Sequence, residues 1–209
     1  MRVVLFIILF QFFNIGLKAQ DQNQSLIDAV ALFHSGVGNT DPNALVANFE
    51  KLAQTPNMPN AWMPPYYLSL LYSRLSLLTK SSADAYADKA IYWANASISI
   101  NANDENFCAL SMARTAKMAV NPYLRWVTYE KSIYAPLRSA KKANPNNPRI
   151  YILEGSLTLN MPSLFGGGCE KARPILSKAK ELLAKQTPQK LLPTWGDQHL
   201  EALRKNCVF

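Results

Sequence analysis

The stretch AKKANPNNPRIYILEG, residues 140–155, closes one helix and opens another. Pro145 cannot continue the helix before it, because proline lacks the N–H that the helical ladder requires. Asn147 is a helix-capping residue type, and Pro148 follows at the first helical position, where a missing N–H costs little. The same kind of joint recurs. Pro59-Asn60, Ala102-Asn103, Pro145-Asn146 and Pro188-Gln189 follow one another at intervals of 43 residues. A fixed period of this size marks stacked helix pairs, none of which can bury its apolar face alone.

Working outward from the joints, the chain reads as nine helices with almost no strand-like alternation. Leu26, Ala29, Val30 and Phe33 share one face of a first helix, which Gly36 and Gly38 end. Asp41-Pro42 opens a second, which stops before Thr55-Pro56. The third spans about 61–78 with Pro64 and Pro65 in its first turn, and the fourth runs from the Ser81-Ser82-Ala83-Asp84 stretch to about Ile100. Asn103-Asp104 caps a fifth that ends near Val120, and Pro122 starts a sixth to Ala143, with a kink expected at Pro136. The seventh reaches Met161, the eighth runs to about Lys185, and a short ninth covers 196–205. The expected fold is all-α: a short α-solenoid of antiparallel helix pairs over residues 21–209, with 196–205 as the helix that covers the last apolar face.

Residues 60–187 resemble the tetratricopeptide (TPR) repeat family, with its roughly 34-residue unit lengthened to 43. Ala140 sits at the family's second alanine place, Tyr151 at its tryptophan place and Gly155 at its small-residue place, while Ala172, Leu176 and Ala179 fit the second helix of that unit. An earlier unit matches through Leu68, Ser69 and Tyr72, then Ala90, Ala94 and Ser97. The middle unit departs, with Met112 at the small place and Ile133 at the first alanine place. The Phe165-Gly166-Gly167-Gly168 loop and the Pro193-Thr194-Trp195-Gly196 segment are similar to those of an exported bacterial group of TPR-like proteins.

This resemblance implies a concave binding surface made by the first helix of each pair. Arg74, Lys117 and Asn160, again 43 residues apart, take its last inward-facing place. Asn106 and Arg149 lie near the starts of their helices on the same side, with Tyr66 beside them. A cationic and amide column of this kind pairs with carboxylates, which favours an acidic or C-terminal peptide segment. Solvated polar residues at a coincidental interval are the alternative. A second candidate surface is aromatic: Trp62, Tyr66, Tyr67 and Tyr72, Tyr92-Trp93, and Trp126 with Tyr129 either pack between the pairs or line a ligand groove.

Catalytic and metal chemistry find no foothold in the sequence. The two histidines, His34 and His199, lie at opposite ends of the chain without a partner at ligand spacing. Asp84 and Asp88 share a helix face, but Lys89 beside them suggests solvated carboxylates. The glycine run 166–168 reads as a tight joint; no Gly-Lys-Ser/Thr ending follows it, so it is not a phosphate loop. Cys108, Cys169 and Cys207 are too few for a disulfide framework. They read as buried small residues, with a Cys169–Cys207 bridge as the alternative in an oxidising compartment.

Residues 1–20 have the features of a cleavable secretory leader: Arg2, an apolar run from Val3 to Phe13 broken only by Gln11, and Ala19 at the cleavage region. Cleavage is expected after Ala19 or Gln20, without stable membrane insertion afterwards. Loss of Arg2 and Lys18 lowers the net charge from +8 to +6, spread along the chain rather than striped as nucleic-acid binding requires. The expectation is a non-catalytic, cofactor-free scaffold of the periplasm or exterior that holds a protein or peptide, with an acidic one favoured. The alternative is a small-ligand or envelope-polymer binding protein that uses an aromatic groove.

Overall fold

The computed structural model describes residues 20–35, 41–187 and 191–209. The expected leader, the Gly36 and Gly38 helix stop and the Pro188-Gln189 joint lie outside the described residues. Helix α1 covers 20–35, followed by α2 (Pro42–Ala53), α3 (Met63–Leu78), α4 (Ala83–Ile100) and α5 (Asp104–Ala119). Then come α6 (Pro122–Ala143), α7 (Pro148–Asn160), α8 (Cys169–Ala184) and α9 (Asp197–Arg204). No strand occurs among the described residues, and none of their helices is long and apolar enough to cross a membrane.

The ends of these helices are set by side chains. Asn103 accepts from the Asn106 N–H at 2.9 Å, Asn147 from Arg149 N–H at 2.9 Å and Asp41 from Asn43 N–H at 3.0 Å. Each satisfies one of the N–H groups that a helix start leaves without an internal partner. Prolines occupy the first turns of α2, α3, α6 and α7.

Packing follows chain order. Helix α3 lies on α4, α5 on α6 and α7 on α8, while α5 also touches α3 and α7. The first helices of the three pairs therefore run side by side. Small residues permit the close approach: a Cβ on Gly155 of α7 would stand 2.4 Å from the Leu176 side chain of α8. Three apolar clusters result. Leu45, Phe49, Tyr67 and Leu68 belong to the first, Ile133, Leu137 and Ile150 to the second, and Ile152 and Leu176 to the third, which α9 covers through Leu200 and Leu203.

In the middle pair the small-residue contact is shifted by one position. Ser111 is buried and donates to the Ile133 carbonyl at 3.0 Å, whereas Met112 is only partly covered. Helix α6 stays one helix through Pro136. Proline there cannot bond the carbonyl four residues back, which belongs to Ser132. The Arg114 guanidinium of α5 donates to that carbonyl instead, at 2.7 Å. Arg114→Met should cost about 1–3 kcal/mol by leaving the carbonyl unsatisfied. An unchanged denaturation midpoint would show that water serves Ser132 equally well.

Candidate functional site

The row of first helices forms the floor of a cavity of about 530 Å³. Leu70, Ser73, Arg74 and Leu77 come from α3, Met112, Thr115 and Ala116 from α5, and Leu153, Ser156 and Leu157 from α7. Phe33 and His34 at the end of α1 supply another part of the wall, and residues 194–199 the rest, including Trp195 and His199. Leucines, Met112, Ala116, Phe33 and Trp195 give the lining most of its exposed surface, interspersed with hydroxyl, imidazole and amide groups and with the opposite charges of Arg74 and Asp197. Ser73 is buried, and its hydroxyl has no hydrogen-bond partner among the described residues. A volume of this size, with a predominantly apolar surface and polar groups set among it, suits a drug-sized organic ligand.

Both histidines of the chain line this one cavity. Burial, reinforced by the Arg149 charge, holds His34 below the ordinary histidine pKa, and burial does the same for His199. Both are thereby kept as neutral imidazoles near neutral pH, the form able to ligate a metal. Nε2 of His34 lies 3.3 Å from the Tyr67 hydroxyl, and its ring meets those of Phe33 and Tyr67 edge-on. The two histidines, at opposite ends of the sequence and without ligand spacing, are thus brought by the fold to the walls of one cavity.

The wall at 193–197 is fixed from behind by a buried polar network. Arg149 is fully buried and ion-pairs with Glu105 at 3.0 Å. It also donates to the Pro193 carbonyl and to Gln186, and its guanidinium lies 5.4 Å from the Trp195 ring. Trp195 Nε1–H donates to the Tyr66 hydroxyl at 2.7 Å, and Tyr66 donates to Glu105 at 3.0 Å. Asn147 donates to both Asp104 and Glu105. Burial pushes the Glu105 carboxyl up, with the Arg149 charge opposing that shift.

The six residues expected on the concave surface are dispersed. Tyr66 and Arg149 belong to the buried network, and Asn106 is buried, donating to the Asn101 carbonyl at 2.6 Å. Lys117 is held by Asp84 at 2.9 Å and Asp88 at 2.7 Å, and Asn160 donates to Ser156 of its own helix. Asp84 also receives both ends of the Arg125 guanidinium, which, with Lys117, holds its carboxyl far below the usual range. Of the six, Arg74 alone is in the cavity lining. The interval of 43 residues thus reflects repeated backbone geometry and does not bring the side chains onto one exposed column.

The aromatic groups divide in the same way. Trp62, Tyr66, Tyr67 and Tyr72 are core, and Phe33 and Trp195 supply the aromatic rings of the cavity. Cys169 and Cys207 form a disulfide with Cα atoms 5.2 Å apart, while Cys108 is buried and free. The reading of all three cysteines as plain buried residues is corrected accordingly.

No family model matches the chain, and no curated protein does. Among solved structures, the HusA haemophore from Porphyromonas gingivalis is similar, with a TM-score of 0.77 and 31% sequence identity. The match covers 87% of this chain and 90% of that one. At that identity over nearly the whole of both proteins, the chain belongs to the family of the HusA haemophore.

Proposed function

We propose that the protein is an exported, non-catalytic binding protein whose ligand is a haem-type tetrapyrrole held over α3, α5 and α7. The observation that carries this reading is the apolar cavity of about 530 Å³ in a member of a haemophore's family. A porphyrin is flat and apolar across its face, matching Leu70, Ala116, Leu153 and Leu157. Its propionates need a cation at one edge, and Arg74, an exposed residue of the lining, has the right charge. The small-ligand alternative drawn from the sequence is thereby favoured over the peptide reading. Trp195 and Phe33 take the role first expected of the tyrosines.

Export is part of the same proposal, with residues 1–20 as the cleaved leader and 21–209 as one domain. The Cys169–Cys207 bridge supports it, because disulfides persist in oxidising compartments. The order of the pairs supports reading the domain as a short α-solenoid akin to TPR proteins.

Titration with haemin tests the reading. The Soret band should shift and saturate at one ligand per chain. Ser156→Trp places a large ring at a half-exposed lining position and should weaken binding by about tenfold or more, which is about 1.4 kcal/mol, with an unchanged circular dichroism spectrum. Haemin affinity equal to wild type in this variant would remove the cavity from consideration.

A further inference from the structure

We propose that one end of the helix stack is a peripheral docking face for an anionic phospholipid surface, which presents the cavity to a bilayer. The face consists of the turns that join α3 to α4, α5 to α6 and α7 to α8. Arg125 at the start of α6 donates to Asp84 at the start of α4 and to the Lys117 carbonyl at the end of α5, so the first two turns share one end. The starts of α5 and α7 meet through Glu105 and Arg149 at the other end, so α7 also finishes on this side. Large apolar side chains project here into solvent. The first turn carries Leu77 and Leu78, the second Tyr123, Leu124 and Val127, and the third Leu164 and Phe165. These are seven of the twelve large apolar residues left exposed among the described ones, and Tyr123 is 97% exposed, Leu164 88% and Val127 84%. Side chains so exposed do little for the packing of their own chain. Gathered at one end, they mark a contact with a protein or a membrane.

Charge favours the membrane. No short run of the chain is basic, yet residues 122–209 carry fourteen Lys and Arg against six Asp and Glu, while 21–121 carry six against eight. The basic half thus supplies α6, α8 and five of the seven apolar tips. At the face itself Lys80, Lys131, Lys171 and Arg173 are exposed, with Glu130 and Glu170 as acidic neighbours. Asp84 and Asp88 are already occupied by Lys117 and Arg125. Lys131 lies one helical turn beyond Val127, and Lys171 follows Phe165 across the glycine joint at 166–168, so cations flank the apolar tips. Apolar side chains that enter the acyl boundary, with Lys and Arg left at the level of the phosphates, hold a protein on anionic lipid. Leu77 belongs to this face and also lines the cavity. An apolar ligand therefore has a path from the bilayer into the cavity along covered surface.

The mature chain is sedimented with vesicles of phosphatidylcholine alone and of phosphatidylcholine mixed with phosphatidylglycerol, at low and high salt. Wild type should partition onto the mixed vesicles about tenfold or more strongly than onto phosphatidylcholine, and salt should weaken the partition. Tyr123→Ser/Val127→Ser/Leu164→Ser should lose about tenfold or more on the mixed vesicles, as should Lys131→Glu/Lys171→Glu. Tyr92→Ser, which removes an exposed ring from the middle of α4, should bind as wild type does. All these positions are exposed, so the circular dichroism spectrum and unfolding midpoint should stay near wild type. Salt-sensitive binding that survives the three serine substitutions is general attraction of a basic protein and overturns the proposal. So does equal binding to both kinds of vesicle. A wild type that binds neither overturns it too, whether it stays monomeric or pairs with a second copy through this face, which velocity sedimentation of the same variants tells apart. Every one of these outcomes leaves the tetrapyrrole reading standing, because no measurement here involves a bound ligand.

Discussion

Glu105→Ala should lower the stability of the protein by about 3–5 kcal/mol, because it strands the buried Arg149 charge without its counter-ion. Arg149 has no exposed side-chain surface and Glu105 retains 12%, so water cannot replace the carboxylate. The same substitution removes acceptors from Tyr66 and Asn147, and each unmade buried hydrogen bond adds to the loss. The damage should spread to the cavity. Arg149 holds the Pro193 carbonyl and the Trp195 ring, so amides of 194–199 should exchange faster and haemin should bind less tightly. Denaturant unfolding would show a lower midpoint at unchanged slope. The double variant Glu105→Ala/Arg149→Met should recover part of the loss, since no buried charge then remains. A midpoint within about 1 kcal/mol of wild type for Glu105→Ala alone would contradict the premise that the ion pair is desolvated.

Helix boundaries were legible because they are local. Asn147 and Asn103 cap the helices they precede, and the expected sixth helix from Pro122 to Ala143 is the observed α6. The pairing of helices follows from the same short joints. The site was not legible, because its parts are distant in sequence. The TPR resemblance placed Arg149 on an open surface, but its guanidinium turns inward to meet Glu105, a partner no local rule connects with it. Lys117 is similarly claimed by Asp84 and Asp88 of the neighbouring α4. Nothing local in the sequence connects His34 with His199, since spacing detects only partners on one element. Their common cavity exists only once α1 and the 194–199 segment have packed against the floor. A search for rare residue types at both chain ends would have been the one sequence cue.

Removing the disulfide through Cys169→Ala/Cys207→Ala should cost about 3–4 kcal/mol. The bridge closes a segment with a sequence separation of 38, and a loop of that length withdraws about this much free energy from the unfolded chain's entropy. The effect should be felt unevenly. The bridge ties the first turn of α8 to the chain just beyond α9, and α9 is a short helix held otherwise by Leu200 and Leu203. Opening the bridge lets α9 detach at lower cost than the α3–α7 floor, because local unfolding begins where the fewest apolar contacts are lost. His199 leaves with it. Haemin affinity should therefore fall in the alanine variant, and the haem spectrum should move toward that of free haemin even while most of the helices remain folded. Reductant applied to the wild-type chain should reproduce both changes, with Cys108 protected from alkylation by its burial. If reduction lowers the unfolding midpoint but leaves the haem spectrum untouched, α9 is anchored by its leucines alone and the bridge has no hold on the ligand.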